Sequence, residues 1–354
     1  MSKLFSPIVI KGVTLKNRII VSPMCQYSAV DGFASDWHLV HLGSFAVGGA
    51  ALILVEATGV SPEARISSSD LGLWKDEQIE KLAQINAFVK QQGAVPGIQL
   101  AHAGRKASTM VPWKGRDEVK PEDGGWQTVA PTAIPYADNY PKPLALDMEG
   151  ILKVVYDFKT ATERAVKAGF DVIEIHASHG YLLHQFLSPL SNQRRDSYGG
   201  SFENRIRLLL EVLDGVQSVL PREKPLFVRI PGSDWAEGGW TPDDAAALAQ
   251  ILKNKGVDVM DVTSGGVVSH QKIVVGPAYQ TPFAAKIKRE TGALTSTAGL
   301  ITNAVQAESI LVNEEADLIM IAREFLRDPH FPLRAAHELK VKIDWPVQYE
   351  RAQW

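Results

Sequence analysis

The chain has 354 residues, 45% of them apolar and 22% charged, a composition that can bury a large core and excludes a disordered chain. Thirty-seven Lys and Arg stand against 40 Asp and Glu, for a net charge of −3, so no overall field attracts a polyanion and nucleic acid is not an expected partner. The single cysteine, Cys25, excludes an internal disulfide and, by itself, an iron–sulfur or structural zinc site; with no apolar signal segment at the start and no apolar run near the roughly 20 residues of a membrane span, a cytoplasmic setting is expected.

Residues 8–17, Ile-Val-Ile-Lys-Gly-Val-Thr-Leu-Lys-Asn, alternate about a central glycine and predict a small hairpin that closes the bottom of the fold ahead of its first main strand. From there, short Val- and Ile-rich runs alternate with longer segments of helical spacing, the pattern of βα units. Strands are expected over 18–21, 51–56, 95–100, 171–176, 226–230, 257–262, 294–297 and 318–321. Helices are expected near 37–47, 76–91, 147–168, 201–219, 241–255, 280–291, 302–312 and 331–339. Thr241-Pro242-Asp243-Asp244 reads as an N-cap, a proline at the first helical position and acids in the first turn. Gly93, Gly169, Gly256 and Gly292 stand where helices should end. Eight units without a linker between halves predict one α/β domain over 1–354, a single (β/α)8 TIM barrel. Residues 103–146, rich in Pro, Gly and Trp, form a long loop after strand three that caps the mouth, and 340–354 form a C-terminal tail.

In a barrel, chemistry gathers at the C-terminal ends of the strands. Ser22-Pro23-Met24-Cys25-Gln26-Tyr27 follows strand one, Gln99 to Lys106 closes strand three, and His176-Ala177-Ser178-His179-Gly180-Tyr181 closes strand four. Arg229 ends strand five, Gly299 follows strand seven, and Ala322-Arg323 ends strand eight. His176 and His179 invite a metal-dependent hydrolase as an alternative, but no third ligand of the usual spacing accompanies them and no metal is expected. Two neutral imidazoles able to donate to a developing oxyanion, beside a tyrosine that keeps its proton at neutral pH, suit the addition of hydride and proton across an activated double bond. No Gly-x-Gly-x-x-Gly follows a strand, so a resident Rossmann-bound nicotinamide is not expected. A flavin phosphate at the loops of strands seven and eight, around Gly299 and Arg323, fits the layout, with Arg229 against the ring edge that becomes anionic on reduction.

These segments, together with Lys16-Asn17-Arg18-Ile19 and Arg194-Arg195-Asp196-Ser197-Tyr198-Gly199-Gly200-Ser201, resemble the old yellow enzyme family of FMN-dependent ene-reductases, in its thermophilic-like branch. The resemblance runs nearly end to end. It implies tightly bound, non-covalent FMN, contacted by Ser22, Pro23, Met24, Cys25, Ala57, Gln99 and Arg229, with Gly299, Ala322 and Arg323 at its phosphate. Ala322 stands where members commonly carry glycine. Cys25 is implied as a thiol that tunes the flavin, Tyr27 as a wall of the substrate pocket, and Lys106 and His102 as supporting residues. His176 and His179 would bind the carbonyl or nitro oxygen of an electron-poor alkene and Tyr181 would be the proton donor. NADPH or NADH would deliver hydride to flavin N5, which returns it to the alkene in a ping-pong cycle. Members of this branch pass a tail residue to a neighbouring subunit, which implies a homodimer or homotetramer with Arg351 reaching the next site. A related group acting on thioesters carries clustered cysteines, and one cysteine weighs against that reading.

Overall fold

Eight of the short apolar runs pair side by side as parallel strands, and the last returns to the first. The computed structural model describes residues 2–354. The hairpin is β1 (Ile8–Ile10) and β2 (Val13–Leu15), followed by β3 (Ile19–Val21), α1 (Asp36–Val47), β4 (Leu52–Gly59), α2 (Ile79–Gln91) and β5 (Val95–Ala101). A two-residue ribbon, β6 (Val129–Ala130) with β7 (Leu144–Ala145), stands in the long loop ahead of α3 (Met148–Lys167). Then come β8 (Val172–His176), α4 (Leu182–Leu187), α5 (Phe202–Gln217), β9 (Leu226–Pro231), α6 (Pro242–Asn254), β10 (Val259–Thr263) and α7 (Thr281–Thr291). The chain closes with β11 (Leu294–Thr297), α8 (Ala304–Val312), β12 (Leu318–Ile321), α9 (Arg323–Arg327) and α10 (Phe331–Glu338). The barrel runs β3-β4-β5-β8-β9-β10-β11-β12 and back to β3, the (β/α)8 order.

Side chains of a strand alternate between faces, so each barrel strand sends every second residue inward. Leu52, Leu54, Val172, Phe227, Val259 and Leu318 form an apolar floor inside the tube. Ile10 and Leu15 of the hairpin belong to that same cluster and stopper it from below, as expected. Two residues further along the strands the inward positions turn polar: Glu174 on β8, Arg229 on β9, Asp261 on β10 and Ser296 on β11, with Gln99 of β5 opposite Glu174. The other faces, including Ile53, Val55, Ile173 and Ile175, pack against the helices in a second, larger apolar cluster. Burying both faces requires the continuous apolar runs seen in the sequence.

The helix signals act as read. Thr241 accepts from Asp244 N, with Pro242 at the first position, and Gly292 closes α7 in the left-handed conformation at φ 62°. Two strand boundaries differ by more than one residue. β4 runs on to Gly59 because pairing with β5 resumes at Thr58 after a register shift, and that bulge turns Glu56 and Ala57 at the mouth. β10 begins at Val259, since Val257 N is still bonded to Leu252 O at the end of α6. α4 and α9 are additional helices at the mouth. No helix among the described residues is long and apolar enough to cross a membrane.

Candidate active site

The mouth is built in layers on the apolar floor. In the first polar layer, Arg229 Nε is paired with Asp261, and Ser296 Oγ donates to Asp261 Oδ1 at 2.8 Å. Gln99 Nε2 donates to Glu174 Oε1 at 2.7 Å, and that oxygen lies 3.9 Å from Arg229 Nε. All of these side chains are buried. Burial and the neighbouring Asp261 push the Glu174 carboxyl up to about 8. Burial opposes charge on Arg229 as well, but the acids beside it, Asp261 foremost, outweigh it and raise the guanidinium. One cation facing one carboxylate and one neutral acid leaves the layer close to neutral, which makes its burial tolerable.

Above this layer opens a cleft of about 280 Å³. Ser22, Pro23, Arg229, Gly299, Ala322 and Arg323, all expected at a flavin, line it together. Arg229 Nη2 donates to Ser22 Oγ at 2.9 Å, joining floor to wall. Gly299 adopts φ +109°, and a Cβ there would stand 2.9 Å from Tyr279 Cε1, so a side chain would close the cleft where bare backbone N–H groups can meet an anion. Ala322 has a negative φ, −110°, so the position does not call for the left-handed freedom of glycine. These features fit a phosphate-bearing cofactor.

The loop after β3 forms a second wall. Glu56 Oε2 accepts from Gln26 N at 3.0 Å and ties that loop to the β4 bulge. Burial, with Asp70 and Glu56 nearby, raises the Cys25 thiol well above its ordinary range, so it stays protonated. Met24 packs partly buried against the large cluster. Tyr27 meets Trp113 of the long loop edge-to-face at 5.7 Å. Ala57 lies in a smaller recess with Asp70 and Tyr181, and burial pushes the Asp70 carboxyl up to about 7.

The third wall is the turn after β8. His176 and Tyr181 rings lie 5.0 Å apart, and His176 and His179 rings 5.2 Å. Burial first, then neighbouring positive groups, holds both imidazoles well below their usual range, and burial raises the Tyr181 phenol. All three are therefore neutral donors at pH 7. Ser178 N donates to His176 Nδ1 at 3.3 Å, which leaves the His176 proton on Nε2, and that N–H faces His179 Nδ1 at 3.3 Å. His179 thus keeps its own N–H at Nε2, and it is His179 that lines the cleft. His179 also adopts φ +56°, a left-handed conformation costing on the order of 1–3 kcal/mol for a residue with a Cβ.

Lys106 braces this turn. Its Nζ donates to His179 O at 2.9 Å and Gly266 O at 3.0 Å, and lies 5.3 Å from the Tyr181 ring. Burial and the nearby Arg105 and Arg116 lower it to about 7. His102 accepts from Gly104 N at 3.0 Å and burial keeps it neutral, at about 4. Arg351 is not brought to this mouth: it is exposed in the tail, which packs beside Lys16, Asn17, Gly49 and Gln92, on the loops entering the strands at the opposite end of the barrel. Glu56, Glu174 and Asp261 went unread in the sequence. The available signal was an acid inside an otherwise apolar strand, two residues before His176 in the case of Glu174.

Comparison with known proteins shows the family. Residues 3–342 match the model of the NADH:flavin oxidoreductase / NADH oxidase family. The NADPH dehydrogenase of Geobacillus thermodenitrificans is 50% identical over 350 residues, covering 98% of both chains. That of Bacillus subtilis is 48% identical over 351 residues, covering 99% of this chain and 98% of its own. Morphinone reductase superposes with a TM-score of 0.81 at 28% identity, covering 98% of this chain and 91% of its own. A 2-naphthoyl-CoA reductase shares the fold, with a TM-score of 0.86 at 23% identity, and the chain spans 52% of its length. With this family match across a barrel whose mouth already suits a flavin phosphate, the chain belongs to the NADH:flavin oxidoreductase / NADH oxidase family, the old yellow enzymes, and is an FMN-dependent oxidoreductase.

Proposed function

We propose that this enzyme uses NADPH or NADH to reduce the activated C=C bond of α,β-unsaturated carbonyl or nitro compounds. When bound, FMN supplies a two-electron carrier that accepts hydride from the nicotinamide and gives it to the alkene. Ser22, Pro23, Met24, Cys25, Ala57, Gln99 and Arg229 would surround its ring, and Gly299, Ala322 and Arg323 its phosphate. The observation that carries the reading is the turn after β8, where a second neutral imidazole, His179, and the protonated phenol of Tyr181 stand 5.2 and 5.0 Å from the His176 ring. His179 offers its Nε2–H to the substrate oxygen. His176 spends its N–H on His179 and gains a second bond to that oxygen once the His179 ring turns. Charge accumulating on the oxygen strengthens both bonds, which is how they lower the barrier. Tyr181 donates its phenolic proton to the α-carbon, and Tyr27 with Trp113 walls the pocket.

A cytoplasmic setting and an oligomer belong to the same proposal. Arg351 lies far from the mouth of its own barrel, so its part at a site requires a neighbouring subunit. The metal-dependent alternative has lost its support, since the family's chemistry is that of a flavin. An anaerobic titration tests the whole: yellow holoenzyme should bleach with NADPH and recolour on adding an enone. Protein that stays yellow, or that bleaches and ignores every enone and nitroalkene offered, refutes the reading. His176→Ala with His179→Ala should cut alkene reduction by at least about 10²–10³ while FMN stays bound, read by stopped-flow and by flavin content.

A further inference from the structure

The turn carrying His179 and Tyr181 is gripped from behind by two side chains that the proposed reaction does not use. His184 and Asp234 are fully buried. Gly180 N donates to His184 Nδ1 at 2.9 Å, and His184 Nε2 meets Asp234 Oδ1 at 2.8 Å. Asp234 Oδ2 accepts from Ser188 Oγ at 2.6 Å and from Trp240 N at 2.7 Å. Gly180 O is held as well, by Gln185 Nε2 at 2.8 Å. The peptide so gripped comes after a left-handed His179, and Gly180 is itself left-handed at φ +73°. A Cβ at Gly180 would stand 2.0 Å from Gly266 O, so the turn has no room to relax that way.

We propose that His184 and Asp234 are positioning residues: Asp234 fixes the Nε2–H tautomer of His184, whose bare Nδ1 then holds the Gly180 peptide and with it the donor angles of His179 and Tyr181. The inference rests on the roles proposed for His179 and Tyr181 in alkene reduction. The logic is that of a buried aspartate choosing a histidine's tautomer in a catalytic triad. Here the histidine orients a backbone amide and transfers no proton.

Asp234→Asn is the decisive variant because it preserves shape. Its oxygen stays with Trp240 N and Ser188, its amide faces His184, and the His184 proton is forced onto Nδ1 against Gly180 N–H. Expected are a change in the 15N imidazole signature of His184 and faster amide exchange in a peptide spanning 178–181. Alkene reduction should fall about 10- to 100-fold, the order of loss for a small misplacement of reacting groups, with bleaching by NADPH retained more fully than recolouring by enone. His184→Asn places an amide oxygen where Nδ1 stands and should restore exchange protection relative to His184→Leu. Unchanged exchange and turnover in Asp234→Asn overturns the proposal, and so does equal loss in both half-reactions with no rescue by His184→Asn. The exchange and 15N measurements do not depend on turnover. If wild-type enzyme reduces no alkene, the substrate reading falls while these still report whether the grip exists.

Discussion

The two ends of the barrel interior are made by the same strands and obey opposite rules. At the floor, Phe227, Val172 and Leu318 fill space with carbon, and what matters there is volume. Two residues higher, Arg229, Asp261, Glu174 and Gln99 also fill space, but each is placed by a partner, so what matters is pairing. The difference shows how one period-two pattern produces a scaffold and a site without a separate domain for either. It also says that damage at the floor should cost stability alone, whereas damage one layer up should cost stability and cofactor together.

The largest expected effects set those layers against each other. Phe227→Ala removes a fully buried ring and should destabilise by about 3–5 kcal/mol, while protein that remains folded keeps its FMN. Arg229→Met strands Asp261 and should also cost about 3–5 kcal/mol, but with loss of FMN. Chemical denaturation alongside flavin absorbance separates the two, and an Arg229→Met protein retaining stoichiometric FMN would break the comparison. Tyr181→Phe should leave stability and FMN unchanged, while recolouring by an enone slows about 10²–10⁴-fold, measured in stopped flow.

A subtler test lies in pH. Glu174 in the folded protein holds its proton up to about 8, whereas in the unfolded chain it ionises in the ordinary glutamate range. Between those limits the folded state binds the extra proton, so Glu174 contributes stability that is full at low pH and is lost as pH rises through about 8. Glu174→Gln should flatten that slope in urea titrations taken across the range, and an unaltered slope would assign the proton elsewhere. Smallest of all, Thr241→Ala removes the cap of α6 and should cost about 1 kcal/mol, seen as a slightly lower Tm. FMN content and turnover should not move, showing that a place near the mouth does not by itself confer a role in the site.

The barrel was legible because its strands are buried on both faces and its helices carry separate caps, so both periods are plain in the chain. α4 was not: Leu182 to Leu187 is buried all round, and a helix without a polar face shows no 3.6-residue stripe. The candidate site was legible where polar residues stand at or just after the end of a strand, as with Ser22, His176 and Arg323. It was illegible where partners are distant in sequence. Nothing near Arg229 announces Asp261, and nothing near Gly180 announces Asp234, because such pairs exist only once strands and loops are brought side by side. Arg351 shows the converse: its neighbours in the sequence say nothing of the end of the barrel on which it sits.

The hairpin at the bottom gives the barrel interior a closed end and an open one. With Ile10 and Leu15 seated as a bung, apolar side chains stand between the bottom of the barrel and the ionisable ring of Glu174, Arg229 and Asp261. The opening that reaches Arg229 lies at the other end, in the cleft lined by Ser22 and Arg323.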